Sequence, residues 1–358
     1  MQPLGIGIVG FGRIGAEHAA WLAASECCRV VAADDITPAR QQLAVARGMR
    51  VYGDLDVLLA DPGVEAVLVA TPTAMHFEHA GRALAAGKHV MVEKPMALDL
   101  AQSRALVEDA RSRGLVLSVF HNRRWDVDYL TVKAAIDSGA FGKLINVESR
   151  LGQFASCVGP AAREYHPNWR NEWSFGGGGL YDWGSHFVDQ LWRLLHPAKP
   201  VRVYAQLRGN VWSADCDDFA RVLIDFDNGV VGLVEINTTT SRPLPRWHLD
   251  GTTGSAFSPF SLEFDTKVWA SLRFTPAPKQ GGAPADEAET KSRTFPMAAP
   301  GLAETQLWER FATAVRGDGE PAVTAASVLP TMALLDAARE SSRTGGAVDV
   351  GGKVEWVM

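Results

Sequence analysis

Nowhere in the 358 residues does a charge-free run reach the roughly 18–20 residues that span a bilayer. The start, MQPLGIGIVGFG, lacks the basic stretch and small-residue cleavage site of a signal peptide. A cytoplasmic protein with no membrane partner is the expectation. Lysine and arginine are nowhere concentrated and the net charge is −6, so a nucleic-acid partner is not expected either. Cysteine is scarce: Cys27, Cys28, Cys157 and Cys216 show no C-x-x-C spacing. That excludes a disulfide framework and a cysteine zinc site, and leaves small buried or half-buried hydrophobes. Tyrosine is scarce beside tryptophan, 5 against 11, and although tryptophan rings suit sugar faces, most fill cores, so no substrate identity follows from them.

What the chain does have is apolar content, 47%, and length enough for two cores. From Leu4 to Phe120 short β-branched runs (IGIVG, RVVAAD, EAVLVAT, HVMVEK, LVLSVF) alternate with Ala/Leu/Arg stretches, the rhythm of a parallel sheet with crossover helices. Thr37-Pro38 opens one of those helices, and Ala74 to Ala86 runs into Gly87 at the end of another. After Trp125 the texture changes. LINVESRL, VRVYAQLRG, FARVLIDFD and VVGLVEINTTT are longer and alternate, as a largely antiparallel open sheet requires. Pro276 to Thr290 reads as a surface loop, and helices return near 303–317 and 325–342. The expected class is therefore α/β, with a Rossmann domain over 1–124 and an α/β substrate and oligomerisation domain over 125–358. Strands from Val201 to Asn237 leave a sheet face without an obvious helix to cover it, which predicts a homodimer or homotetramer.

Gly10-Phe11-Gly12-Arg13-Ile14-Gly15 follows an apolar strand and opens a helix, the setting of a dinucleotide-binding turn. Gly10 permits the turn, Gly12 lets backbone N–H groups approach a pyrophosphate, and Gly15 lets helix and strand pack closely. The second strand ends at Asp34-Asp35, where an acid would bind the adenosine ribose. The assignment falls on Asp35 with Asp34 beside it, although the sequence leaves open which points inward. Two carboxylates there would repel a 2′-phosphate, so NAD is expected over NADP.

Three more segments stand in order along the chain: Ala70-Thr71-Pro72-Thr73-x-x-His76, Gly87-Lys88-His89-Val90-x-Val92-Glu93-Lys94-Pro95, and Gly176 to Gly179 running into Leu180-Tyr181-Asp182-x-Gly184-x-His186-x-x-Asp189. With Gly251-Thr252-x-Gly254-Ser255 they resemble the Gfo/Idh/MocA oxidoreductase family over nearly the whole chain. His121 to Asp126 and Asp217-Asp218-Phe219 resemble its scyllo-inositol dehydrogenase-like branch. The resemblance implies NAD(P)-dependent chemistry on sugars, inositols and related polyols, and an open sheet used for oligomerisation. It also places Thr71, Pro72 and His76 against the nicotinamide ribose and makes Glu93 a cofactor-side ligand.

Oxidising a carbinol needs a group to take the hydroxyl proton as hydride leaves carbon. Lys94, just past a strand end, and His186 are the candidates. Lys94 serves cofactor and substrate alike in this reading. Asp182 and His186, four apart on a helix, face one side, and Asp189 and Arg193 extend that stripe, while Phe187, Leu191, Leu194 and Leu195 anchor another face. Asp182 would accept a substrate hydroxyl hydrogen bond or hold a cationic neighbour. No second ligand cluster accompanies these residues, so no metal is expected. Asn122, Arg123, Tyr165, His166, Trp169 and Arg170 are further substrate-contact candidates. The function read from this set is a hydride transfer between a nicotinamide and a sugar or polyol carbinol. The alternative is an NAD-dependent glycoside hydrolase that oxidises its sugar transiently.

Overall fold

The computed structural model describes residues 2–157, 169–261, 264–278 and 291–358. Tyr165, His166 and most of the expected loop from 276 to 290 lie outside them. Two compact units are present.

In the first, strands β1 (Leu4–Val9), β2 (Cys28–Asp34), β3 (Arg50–Tyr52), β4 (Ala66–Val69), β5 (His89–Val92) and β6 (Leu117–Val119) form one sheet in the order β3-β2-β1-β4-β5-β6. Every pairing is parallel. Helices α1 (Arg13–Ala23), α2 (Pro38–Ala46), α3 (Leu55–Ala60), α4 (His76–Ala85) and α5 (Leu100–Ser112) make the crossovers. All six residues of β1 are buried, as a strand covered on both faces demands, and this is why its sequence is a continuous apolar run. Strand order reverses direction between β1 and β4, the place where open parallel sheets bind ligands beyond their strand ends. Strand β3 is three residues long and carries no apolar run, which is why the sequence pattern passes over it.

The second unit holds β7 (Leu144–Gly152), β8 (Pro200–Arg208), β9 (Phe219–Phe226), β10 (Val231–Asn237), β11 (Trp247–Gly251), β12 (Gly254–Phe257), β13 (Arg273–Pro276), β14 (Arg293–Thr294) and β15 (Val348–Asp349). They run in the order β14-β13-β12-β11-β7-β10-β9-β8-β15, antiparallel throughout except for the parallel pair β7 and β10. That pair is joined through helix α7 (Ser185–Leu195) and the β8-β9 hairpin, a crossover long enough to bring two strands in parallel. Val147, Val222, Val234 and Leu249 face inward, and Leu191 of α7 packs over Gly232. The other face stays open at Tyr204, Val231 and Phe257 and carries ion pairs, among them Arg221 with Glu235 at 2.9 Å and Arg202 with Asp225 at 2.7 Å.

The units are not the two contiguous blocks expected at 124/125. The first ends near Asn122 but takes back residues 302–332, which include helix α9 (Glu304–Val315); α6 (Val127–Asp137) and α8 (Thr266–Trp269) belong to the second, and α10 (Leu329–Thr344) runs across the division. The return is fixed by packing that composition does not reveal: Trp308 Nε1 donates to His18 Nδ1 at 3.1 Å, and Ser118 Oγ donates to the Val323 carbonyl at 2.7 Å. Cys28 and Cys216 are buried and Cys157 is half-buried, whereas Cys27 is exposed. Among the described residues no helix is long and apolar enough to cross a membrane.

Candidate active site

Gly10 has φ +89°, and a Cβ there would come within 2.8–2.9 Å of the Ala70 and Thr71 backbone, so no other residue fits the turn without strain. A Cβ on Gly15 would overlap the Gly10 carbonyl. Beside Gly12 the space is open. Helix α1 begins at Arg13 with no side chain capping its first N–H groups, which leaves them for an anion. This cradle fits a dinucleotide pyrophosphate. Arg13 is paired outward with Glu17 at 3.0 Å, and Ile14 is half-buried. Phe11 supplies no ligand surface: its ring is fully buried, and its N–H donates to Asp35 Oδ2 at 2.7 Å.

That bond separates the two acids. Asp35 Oδ1 also accepts from Thr37 N–H at 2.8 Å, so both its oxygens brace the turn. Asp34 is buried, and its Oδ1 has no hydrogen-bond partner among the described residues. Burial, with Asp35 and Asp54 nearby, pushes its carboxyl up to about 6. Asp34 thus has the lone pair that a ribose hydroxyl would satisfy, whereas Asp35 holds the loop. Because the folded value lies above the ordinary one, the buried charge costs stability at neutral pH, and that cost fades as pH falls through about 6. A ribose hydroxyl donating to the carboxylate favours its charged form. NADH affinity is therefore expected to weaken as pH falls through about 6, checked by NADH fluorescence titration; a flat profile would refute the role of Asp34. Asp34→Ser should narrow the gap between NAD and NADP, whereas Asp35→Ser should weaken both.

Beyond β4 and β5 the expected ligands have different tasks. His76 is 1% exposed, with Nδ1 2.8 Å from the Pro95 carbonyl and Nε2 2.9 Å from the Thr71 carbonyl. Burial pulls its pKa down against those two carbonyls. It is enclosed between the two loops that carry Thr71-Pro72 and Lys94-Pro95, and as a neutral ring it donates to one of their two carbonyls. The Lys94–Pro95 bond is cis. Thr71 Oγ1 lies 3.1 Å from His79 Nδ1. Glu93 Oε1 meets His18 Nε2 at 2.8 Å while Oε2 accepts from the Lys94 N–H at 3.1 Å. Since Trp308 donates to Nδ1 of His18, Nε2 is the nitrogen that carries a proton toward Glu93. Burial raises the Glu93 carboxyl, but His18 and the charge of Lys94 outweigh it, and the net shift is downward. Glu93 is an anion that fixes the main chain at Lys94. His18 and Trp308 went unnoticed in the sequence; the only signal was the position of His18 on the inner face of the helix that follows the glycine turn. Lys94 itself is half-buried, immediately past β5.

In the second unit, Leu180–Gly184 is a π-helical turn leading into α7. Such turns concentrate at functional sites, and this one carries Asp182 half-buried and passes directly to buried His186. The polar stripe expected to lie open does not, because every residue of α7 is buried. Asp189, 1% exposed, is forked by Arg124 with two bonds of 2.8 Å and approached by Arg193 at 3.5 Å. Gln190 donates to the Arg123 carbonyl at 2.6 Å and accepts from Arg246 at 2.7 Å. Those arginines come from distant segments that a helical wheel does not include. Arg123 lies 3.9 Å from the Phe264 ring centre and 5.1 Å from that of Trp183, and pairs with Asp126 at 3.2 Å. Burial pushes Asp126 up to about 7. Asp217, also raised by burial to about 6, accepts from the Leu180 N–H at 2.7 Å.

Of the remaining candidates, Asn122 approaches Glu304 at 3.4 Å and Trp169 lies under the Arg170 guanidinium at 4.2 Å, both within the first unit. The first unit thus assembles the glycine turn, Asp34, Asp35, Thr71, Pro72, His76, Glu93 and Lys94. The second assembles Asp182, His186 and Arg123.

Residues 4–121 match the model of an oxidoreductase family with an NAD-binding Rossmann fold, and residues 129–257 match the C-terminal domain of the same Gfo/Idh/MocA family. The NADP(+)-dependent scyllo-inositol 2-dehydrogenase IolW of Bacillus subtilis is 27% identical over 82% of this chain and 81% of its own. The NAD(+)-dependent scyllo-inositol 2-dehydrogenase of the same organism is 30% identical over 70% of this chain and 72% of its own. Among solved structures, an NAD-binding protein from Listeria innocua superposes with a TM-score of 0.83 at 30% identity, covering 97% of this chain and 96% of that one.

Proposed function

The chain belongs to the Gfo/Idh/MocA family of oxidoreductases and uses NAD as cofactor, and on that footing we propose that it transfers a hydride to or from a carbinol carbon of a sugar, inositol or related polyol. The observation that carries the reading is Lys94: half-buried past the end of β5, at the ligand edge of the sheet, with its main chain held by the half-buried Glu93 carboxylate. When bound, NAD supplies the hydride acceptor, or NADH the donor. The protein's own work is with the proton. Lys94 Nζ and the His186 ring are the groups assigned to the proton: it leaves the carbinol hydroxyl as the C–H electron pair departs and returns in the reverse direction. Asp182 accepts a hydrogen bond from a substrate hydroxyl and so orients the ring. Arg123, against Trp183 and Phe264, contributes to the substrate wall, with Asn122, Tyr165 and Trp169 as further contacts.

Screening NAD+ reduction over inositols, aldoses and glycosides tests this. NADH formation from a free polyol is the expected result; glycoside cleavage with no net NADH would replace the dehydrogenase with the hydrolytic alternative. We also assign the open face of the nine-stranded sheet to a homodimer or homotetramer contact. Light scattering should give a multiple of the 38.6 kDa chain mass, and a monomer would overturn the assignment.

A further inference from the structure

Two sequence motifs have no part in the chemistry above: the end of the glycine run, Gly178-Gly179, and the pair Asp217-Asp218. The structure joins them. Asp217 is 5% exposed; its Oδ2 accepts from the Leu180 N–H at 2.7 Å and its main-chain carbonyl accepts from the Gly179 N–H at 2.8 Å. Gly178 has φ +103°, and a Cβ on it would overlap Asp217 Oδ1. A Cβ on Gly179 would lie 3.3 Å from Oδ2. Position 178 is glycine because its φ is positive and the Asp217 carboxylate occupies the space a Cβ would need; at Gly179 a Cβ would meet Ile236 first, at 3.0 Å. The turn then closes through Asp182 N–H to the Gly178 carbonyl at 3.0 Å. Asp218 does something else: it accepts from the N–H groups of Asn210 at 2.9 Å and Trp212 at 3.0 Å and braces that loop.

We propose that Asp217 is the positioning residue of the Asp182 turn, fixing where the π-helical turn starts and hence where the Asp182 carboxylate points. A buried carboxylate costs more than an apolar residue unless its bonds are needed, and this one accepts from the N–H of Leu180, the first residue of the turn that carries Asp182, while its main-chain carbonyl holds Gly179 just before it. The inference rests on the role given to Asp182 above, and the experiment separates the two.

Turnover per NADH-binding site, substrate KM and NADH affinity are measured for Asp182→Ala, Asp217→Ala, Asp217→Asn, Gly178→Ala and Asp218→Ala, using the polyol of the panel that yields most NADH. Asp217→Ala should lower kcat/KM by roughly 10–100-fold with NADH affinity unchanged, the size of loss that a misplacement of about 1 Å brings. Asp217→Asn still offers an oxygen to the Leu180 N–H and should recover most of it. Gly178→Ala displaces the same carboxylate and should repeat the loss without adding to it, which also decides the matter if Asp217→Ala does not fold. Asp218→Ala should lower thermal stability but keep turnover per site. If Asp182→Ala is silent, the role of Asp182 fails and the inference with it. If Asp182→Ala is impaired while Asp217→Ala and Gly178→Ala keep kcat and KM, Asp217 is a structural residue only.

Discussion

Lys94→Ala and His186→Ala are each expected to lower turnover on a working polyol by on the order of 10²–10⁴, the usual worth of general acid–base catalysis. If the two side chains serve one proton, removing the second after the first should cost little more, because groups acting as a unit lose their function together. Cofactor binding is the internal control. The glycine turn and Asp34, proposed to hold the far end of the dinucleotide, are unaltered in His186→Ala, so NADH affinity should change little there. In Lys94→Ala the main-chain N–H donated to Glu93 survives, so the strand end stays in place. Turnover measured per NADH-binding site settles the matter: near-normal rates in both variants would remove Lys94 and His186 from the proton path.

Arg124→Met is expected to be the most destabilising single change outside the glycine turn. Arg124 and Asp189 are 9% and 1% exposed and share two hydrogen bonds of 2.8 Å, so removing the guanidinium leaves a buried carboxylate without its principal partner. Breaking a buried pair in this way costs about 3–5 kcal/mol, and the lower end applies because Arg193 remains 3.5 Å away. For a unit of this size that corresponds to a fall in Tm of roughly 6–12 °C by scanning calorimetry. Arg124→Met combined with Asp189→Leu removes both charges and should recover a large part of the loss. A single variant melting with the unsubstituted protein would show that the fork contributes nothing net.

The candidate site was legible in the sequence to different depths. The glycine turn could be read because its demands are local: a positive φ at Gly10, room beside Gly12, close packing at Gly15, all within one strand-turn-helix. The acids at the end of β2 could be located but not told apart, since what distinguishes them is the Phe11 N–H, 24 residues away in sequence and a neighbour only in the folded turn. His76 could be placed near the loops beyond β4 and β5, but not its burial between the Pro95 and Thr71 carbonyls. The stripe from Asp182 to Arg193 had the right periodicity, yet α7 is enclosed on all sides.

Alternation of two, helical spacing, turn glycines and proline-led helix starts act over a few residues through backbone sterics, so the parallel sheet of the first unit, the long strands of the second and the order of the chemical motifs were all present in the linear chain. Pairings between distant positions were not. Glu93 finds His18 across 75 residues, Arg124 finds Asp189 across 65, and Trp308 reaches His18 across 290. The same holds for the parallel register of β7 with β10 and for the carboxylate of Asp217 beneath Gly178. Each depends on which buried polar group lacks a partner once the apolar faces have closed. That demand arises only in the desolvated interior, where an unsatisfied donor or charge becomes expensive and a residue far along the chain is the one within reach.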